Sequence, residues 1–73
     1  MNRIRLKIQE GKDFLIYYID CKETGDNPKL VIEHITNLLT NGAKNLSFKD
    51  EDVDVFIGEE KLKNSILEFK VID

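Results

Sequence analysis

The sequence predicts a small α+β domain in which one helix packs on one face of a four- to five-stranded sheet, in the order β-β-α-β-β-β. The segment from Phe14 to Ile19 is an unbroken run of apolar and aromatic residues, too short for a buried helix and rich in strand formers. A single later segment has the spacing of an amphipathic helix, and short alternating segments fill the last third of the chain.

Length and composition indicate one domain, residues 1–73. Hydrophobic residues make up 41% and charged residues 34%, which is typical of a compact fold rather than a disordered chain. A domain of this size buries only about 60% of the surface that its unfolded chain exposes. Dimerisation is a common way to stabilise such a domain.

The first strand is predicted from Asn2 to Gln9, because apolar and basic residues alternate there. A turn at 10–13 leads to a second strand, from Phe14 to about Lys22, that pairs with it as an antiparallel hairpin. The apolar positions of the first strand are Ile4, Leu6 and Ile8, and the basic positions are Arg3, Arg5 and Lys7.

The register of this hairpin stays open, because the second strand is apolar on both faces. A two-residue loop at Glu10-Gly11 places Leu15, Tyr17 and Ile19 on the face of Ile4 and Leu6. A three-residue loop places Phe14, Ile16 and Tyr18 there instead. In either case large apolar side chains remain on the other face.

The helix is predicted from Pro28 to Thr40, after a loop over 23–27. Asp26 or Asn27 can cap it, and proline suits the first turn because no amide partner is needed there. Asn41-Gly42 is a typical helix end. The apolar arc consists of Val31, Ile32, Ile35, Leu38 and Leu39.

Three more strands are predicted at Asn45–Lys49, Asp52–Ile57 and Ser65–Ile72, with Leu62 packing from a loop or a short helical turn. In element order and length the chain resembles a ubiquitin-like β-grasp, although it ends without a diglycine tail. The alternative is a hairpin followed by a three-stranded antiparallel meander.

The residues that could carry catalysis are few, so we expect a protein that is not an enzyme and uses no cofactor or metal. His34 is the only histidine and Cys21 the only cysteine, and no orienting acid or nucleophile motif accompanies them. Asp50, Asp52 and Asp54 resemble the start of a calcium loop. That loop needs Gly and Glu where this chain has Val55 and Lys61.

The main functional prediction is a protein-interaction module, expected to form a homodimer or to bind another protein through an apolar sheet face. The alternative is an inhibitor of the kind found in phages and mobile elements, whose acidic segment 50–60 imitates nucleic-acid charge. Direct nucleic-acid binding is not expected at a net charge of −3. The predicted partner-binding residues are Tyr17, Tyr18, Ile19, Phe56, Asp50, Asp52 and Asp54.

The same sequence predicts a cytoplasmic protein without a membrane association. One cysteine cannot form an intrachain disulfide, which suits a reducing compartment. The residues after Met1 alternate in polarity, unlike the apolar core of a signal peptide, and no apolar stretch is long enough to span a bilayer.

Overall fold

A computed structural model describes residues 3–21 and 27–72 of the chain. Asn2, Lys22 and the loop residues 23–26, to which predictions were attached, lie outside the described residues. The elements are β1 (Arg3–Glu10), β2 (Asp13–Asp20), α1 (Pro28–Thr40), β3 (Leu46–Asp50), β4 (Val53–Ile57), α2 (Glu59–Lys63) and β5 (Ile66–Ile72). The α+β class and the predicted order are confirmed, and α2 is the short helical turn that carries Leu62.

The five strands form two antiparallel sheets. Sheet A has the order β2-β1-β5, and sheet B is the β3-β4 hairpin. Both neighbours of β1 run antiparallel to it. Strand β5 therefore pairs with β1 and not with β4, which precedes it in the sequence. As a result, β3, β4 and β5 do not form the three-stranded meander of the alternative prediction.

The turn between β1 and β2 settles the register that the sequence left open. Glu10 pairs with Asp13 across the two-residue turn Gly11-Lys12, where Gly11 has a φ of 63°. A positive φ at the first turn position is typical of a type II′ hairpin, which glycine adopts without strain. The turn lies one residue later than Glu10-Gly11. The strand pairs therefore differ from those of the predicted loop, but the face assignment is the one predicted for a two-residue loop: Leu15, Tyr17 and Ile19 share the face of Ile4 and Leu6.

The core lies on one side of sheet A, which we call its inner face. Ile4 and Leu6 are fully buried there, and Ile8 is only 2% exposed. Ile35 of α1 and Val55 of β4 belong to the same buried cluster, so the helix and sheet B both cover this face. Leu62 packs against the cluster from α2.

Helix α1 has the bounds that its sequence predicts. The side-chain Oδ1 of Asn27 accepts a hydrogen bond from the amide of Lys29 at 2.9 Å, which confirms one of the two predicted caps. At the other end, Gly42 has a φ of 93° and the amide of Ala43 donates to the carbonyl of Leu38 at 2.9 Å. This is a glycine-terminated helix end.

Candidate functional site

The candidate site is the outer face of sheet A, opposite the core. Side chains alternate along a strand, and residues directly opposite each other on paired strands point to the same face. The cross-strand partners of Arg3, Arg5 and Lys7 on β2 and β5 therefore share the outer face with them. None of them is buried. The outer face comprises Arg3, Arg5, Lys7 and Gln9 of β1, Phe14, Ile16, Tyr18 and Asp20 of β2, and Ile66, Glu68, Lys70 and Ile72 of β5.

Two cations of β1 lie over aromatic rings of β2. The guanidinium carbon of Arg3 is 4.7 Å from the ring centroid of Tyr18, and Nζ of Lys7 is 4.9 Å from that of Phe14. Each such contact is worth about 0.5–1 kcal/mol at an exposed site. The basic side chains thus shield part of the outer face, although Phe14 remains 55% exposed.

Exposed apolar groups remain on both edge strands of this face. Ile16 of β2 is 41% exposed and Ile66 of β5 is 66% exposed. In the described part of the chain, α1 and sheet B pack against the inner face, so neither covers these side chains. The outer face is therefore an apolar and aromatic surface with a basic central strand.

The charge of the outer face is opposite in sign to that of the chain. It carries four cationic side chains and two anionic ones, a net charge of +2, whereas the whole chain has a net charge of −3. The anionic residues are Asp20 and Glu68. At contact distance this surface therefore favours acidic groups on a partner.

The predicted partner-binding residues of β2 are divided between the two faces. Tyr18 lies on the outer face. Tyr17 lies on the inner face, where its ring meets Phe48 edge-on with the centroids 5.6 Å apart. Ile19 is a core residue with 8% exposure. Of these three side chains, only that of Tyr18 can therefore contact a partner at the outer face.

The other predicted partner-binding residues lie on sheet B. Phe56 is 68% exposed and Asp54 is paired across the strands with Lys49, while Asp52 lies in the turn. Asp50 differs from them, because its carboxylate accepts a hydrogen bond from the amide of Tyr18 at 3.2 Å. This carboxylate caps the edge of β2 and ties sheet B to sheet A.

The sequence did not single out Phe14, Ile16 and the three cations of β1 as one binding surface. Their alternation was visible, since both the basic residues of β1 and the apolar run of β2 have the period of a strand. Only the register of the hairpin shows that these two rows share a face.

A cleft of about 560 Å³ lies between the C-terminal end of α1 and α2. Leu39, Leu62 and Leu67 form part of its wall, and Glu59 at its rim pairs with Lys63 at 3.4 Å. Ser65 also lines this cleft, and its hydroxyl donates to the carbonyl of Lys61 at 2.6 Å, a contact that helps to end α2.

His34 and Cys21, the two residues with catalytic potential, differ in their exposure to solvent. His34 is exposed on α1, whereas Cys21 is buried in the core with 2% exposure. Within residues 3–21 and 27–72, no group of three or more His, Cys, Asp and Glu side chains could hold a metal ion. Neither helix in these ranges is long and apolar enough to cross a bilayer.

Comparison of the chain with protein-family models, with curated proteins and with solved structures gives no match.

Proposed function

We propose that this chain is a non-enzymatic protein-interaction module that binds its partner through the outer face of sheet A. The observation that carries the proposal is the exposure of Phe14, Ile16 and Ile66 on the side of the sheet that α1 and sheet B do not cover. Phe14 and Ile16 are neighbours on β2, and an exposed apolar patch on a small domain usually marks an interaction site.

The partner that suits this face is a protein surface with acidic groups at its centre and apolar side chains on either side of them. The apolar side chains of β2 and β5 flank the cations of β1, so contact with such a surface would bury both kinds of group together. Aromatic residues and arginine are also the residue types enriched at protein interfaces.

A nucleic acid suits the face less well, although it too is acidic. Base stacking needs open ring faces. Here Arg3 lies over the ring of Tyr18 and Lys7 over that of Phe14. The aliphatic side chains of Ile16 and Ile66 offer a base no aromatic platform, and the net charge of −3 opposes a polyanion at long range.

The acidic-inhibitor alternative has weaker support from the contacts. The carboxylate of Asp50 is engaged by the amide of Tyr18, and Glu59 pairs with Lys63. Both groups belong to the acidic segment 50–60 on which the alternative rests. Their engagement within the chain leaves fewer carboxylates of this segment available to a basic groove.

Binding through the outer face can be tested with Ile16→Glu and Thr36→Glu as a matched pair. The first adds a carboxylate to the outer face opposite Lys7, a position where an ion pair keeps the strand stable. The second adds the same charge to an exposed position of α1. Proteins retained on each immobilised variant are compared with those retained on wild type, and a retained protein is purified for titration calorimetry.

We expect Ile16→Glu to weaken binding of the purified partner by about tenfold or more, and Thr36→Glu to leave it unchanged. A partner that binds all three chains equally contradicts the proposal. So does retention of nucleic acid in place of protein. A retained protein that is lost on Thr36→Glu but kept on Ile16→Glu would place the site on α1 instead.

A further inference from the structure

Strand β5 forms one edge of sheet A, and its outward backbone groups follow from the hairpin geometry. The closing pair of a two-residue hairpin is hydrogen-bonded, so alternate residues of β1, including Leu6 and Ile8, direct their amides and carbonyls to β2. The residues between them then bond to β5. Its outward backbone groups, pointing away from β1, are those of Leu67, Phe69 and Val71.

The two edges of sheet A differ in how they are covered. On the β2 edge, Asp50 accepts the outward amide of Tyr18. On the β5 edge, no side-chain or loop hydrogen bond among the described residues involves the three outward amides. The strand is seven residues long, has neither proline nor glycine, and exposes Ile66 by 66% and Val71 by 38%. Such an edge is a template for pairing with another strand.

The sequence of β5, Ile-Leu-Glu-Phe-Lys-Val-Ile, is symmetric in polarity and opposite in charge about its central residue, Phe69. Antiparallel pairing of two copies about a two-fold axis at this residue places Glu68 of each copy opposite Lys70 of the other. Leu67 then lies opposite Val71. Opposite charges and apolar residues that face each other across antiparallel strands stabilise the pair.

We propose that a second copy of this chain binds at the β5 edge, forming a homodimer with a continuous six-stranded sheet. The outward amides and carbonyls of Leu67, Phe69 and Val71 can form hydrogen bonds in this arrangement, because each of these residues lies opposite a residue of the other copy whose amide and carbonyl also point outward. The interface is isologous, which is the commonest form of protein dimer.

Charge selects this register over its neighbours. Sliding one copy along the other by two residues, the repeat of a strand, changes these pairs. In one direction Glu68 of one copy faces Glu68 of the other, and in the other direction Lys70 faces Lys70. Like charges directly opposite each other destabilise a strand pair. A slip by a single residue would place inner-face side chains of one copy beside outer-face side chains of the other.

The dimer deepens the proposed function and rests on it for its purpose. A two-fold axis perpendicular to the sheet leaves both outer faces on the same side, side by side. Direct contact between two outer faces would instead oppose two surfaces of net charge +2. The edge dimer thus presents a doubled apolar and basic surface to one acidic partner, which can raise avidity without new contacts.

The test measures molar mass by light scattering across a concentration series of the full chain, for wild type, Glu68→Lys and Lys70→Glu. We expect wild type at about twice 8.5 kDa. Each single variant places like charges opposite at both symmetric positions and should dimerise at least about tenfold more weakly. An equimolar mixture of the two variants restores opposite charges at both positions, so it should recover the dimer.

Folding of each variant is checked by circular dichroism. Glu68→Lys faces Lys7 across the strands and costs some stability, whereas Lys70→Glu faces Arg5 and should not. Lys70→Glu therefore keeps the test valid even if the other variant unfolds. The edge dimer is overturned if wild type is monomeric throughout, if Lys70→Glu dimerises as wild type does, or if the mixture of folded variants stays monomeric.

The dimer and the proposed function can fail separately. If the dimer is lost in Ile16→Glu but kept in Lys70→Glu, self-association occurs through the outer face and the edge proposal is wrong. If Ile16→Glu remains a dimer but has lost its partner, and the mixture test succeeds, both proposals hold. If the mixture test succeeds but Ile16→Glu keeps every partner, only the edge dimer stands.

Discussion

The two faces of sheet A are built from the same strands but have different roles. On β1, Ile4 and Leu6 have no exposed surface, while the side chains between them, Arg3 and Arg5, are half-buried cations. On β2 both faces are apolar, yet Ile19 is buried and Ile16 is 41% exposed. The identity of a side chain alone therefore does not decide its burial. Position along the strand matters as well as the face, since Leu15 lies on the inner face and is still 49% exposed.

In this contrast the buried core cluster lies on one face of the sheet. Helix α1 and sheet B together cover most of the inner face, although Leu15 and Val71 remain 49% and 38% exposed there. Among the described residues nothing comparable packs on the outer face. A monomer gains little from keeping Phe14 and Ile16 partly in water. Their exposure on the outer face supports the proposed binding surface.

The largest effect expected from a single substitution is on the inner face. Leu6→Ala should lower the free energy of unfolding by about 3–5 kcal/mol, because a fully buried side chain leaves a cavity. The matched change Ile16→Ala on the outer face should cost about 1 kcal/mol or less. Urea denaturation followed by circular dichroism measures both. Equal losses would remove the distinction between the two faces.

A smaller effect should separate the two edges of sheet A. Asp50→Ala leaves the part-buried amide of Tyr18 without its acceptor and should lower the free energy of unfolding by about 1–2 kcal/mol. Asp50→Asn retains an acceptor oxygen and should cost less. If both variants match wild type in urea denaturation, the carboxylate is not needed to hold sheet B against β2.

The smallest predicted effect is a gain in stability in sheet B. Glu51 has a φ of 54° in the β3-β4 turn, a conformation that favours glycine. Glu51→Gly should raise the thermal midpoint, corresponding to about 0.5–1 kcal/mol. The control is Asp52→Gly, at a turn residue without a positive φ, which should not stabilise. A lower midpoint for Glu51→Gly would contradict the strain assigned to this turn.

Local patterns were enough to predict much of this fold. The bounds of α1 match because proline, a capping asparagine and a terminal glycine each act within one turn of the chain. Strand β4 begins at Val53 rather than Asp52, and β5 at Ile66 rather than Ser65, differences that lie within the usual fraying of element ends.

The pairing of distant strands could not be predicted in the same way. Nothing in the alternation of Leu67, Phe69 and Val71 states that β5 lies beside β1 instead of β4. The hairpin register depended on one residue of turn length, and β2 offers an apolar row to either choice. The residues of the candidate site could not be predicted for the same reason, because Tyr17 and Tyr18 exchange faces when the hairpin register changes by one residue.

The measurement that tests the account most directly is the unfolding free energy of an outer-face triple variant, Phe14→Thr, Ile16→Thr and Tyr18→Thr. Threonine keeps a branched side chain that suits a strand, so the substitutions remove mainly apolar and aromatic surface. We expect a loss of about 1–2 kcal/mol in urea denaturation, most of it from the two cation contacts of Phe14 and Tyr18. A loss above about 3 kcal/mol, comparable with Leu6→Ala, would show that the outer face is part of the folding core and would contradict its assignment as a binding surface.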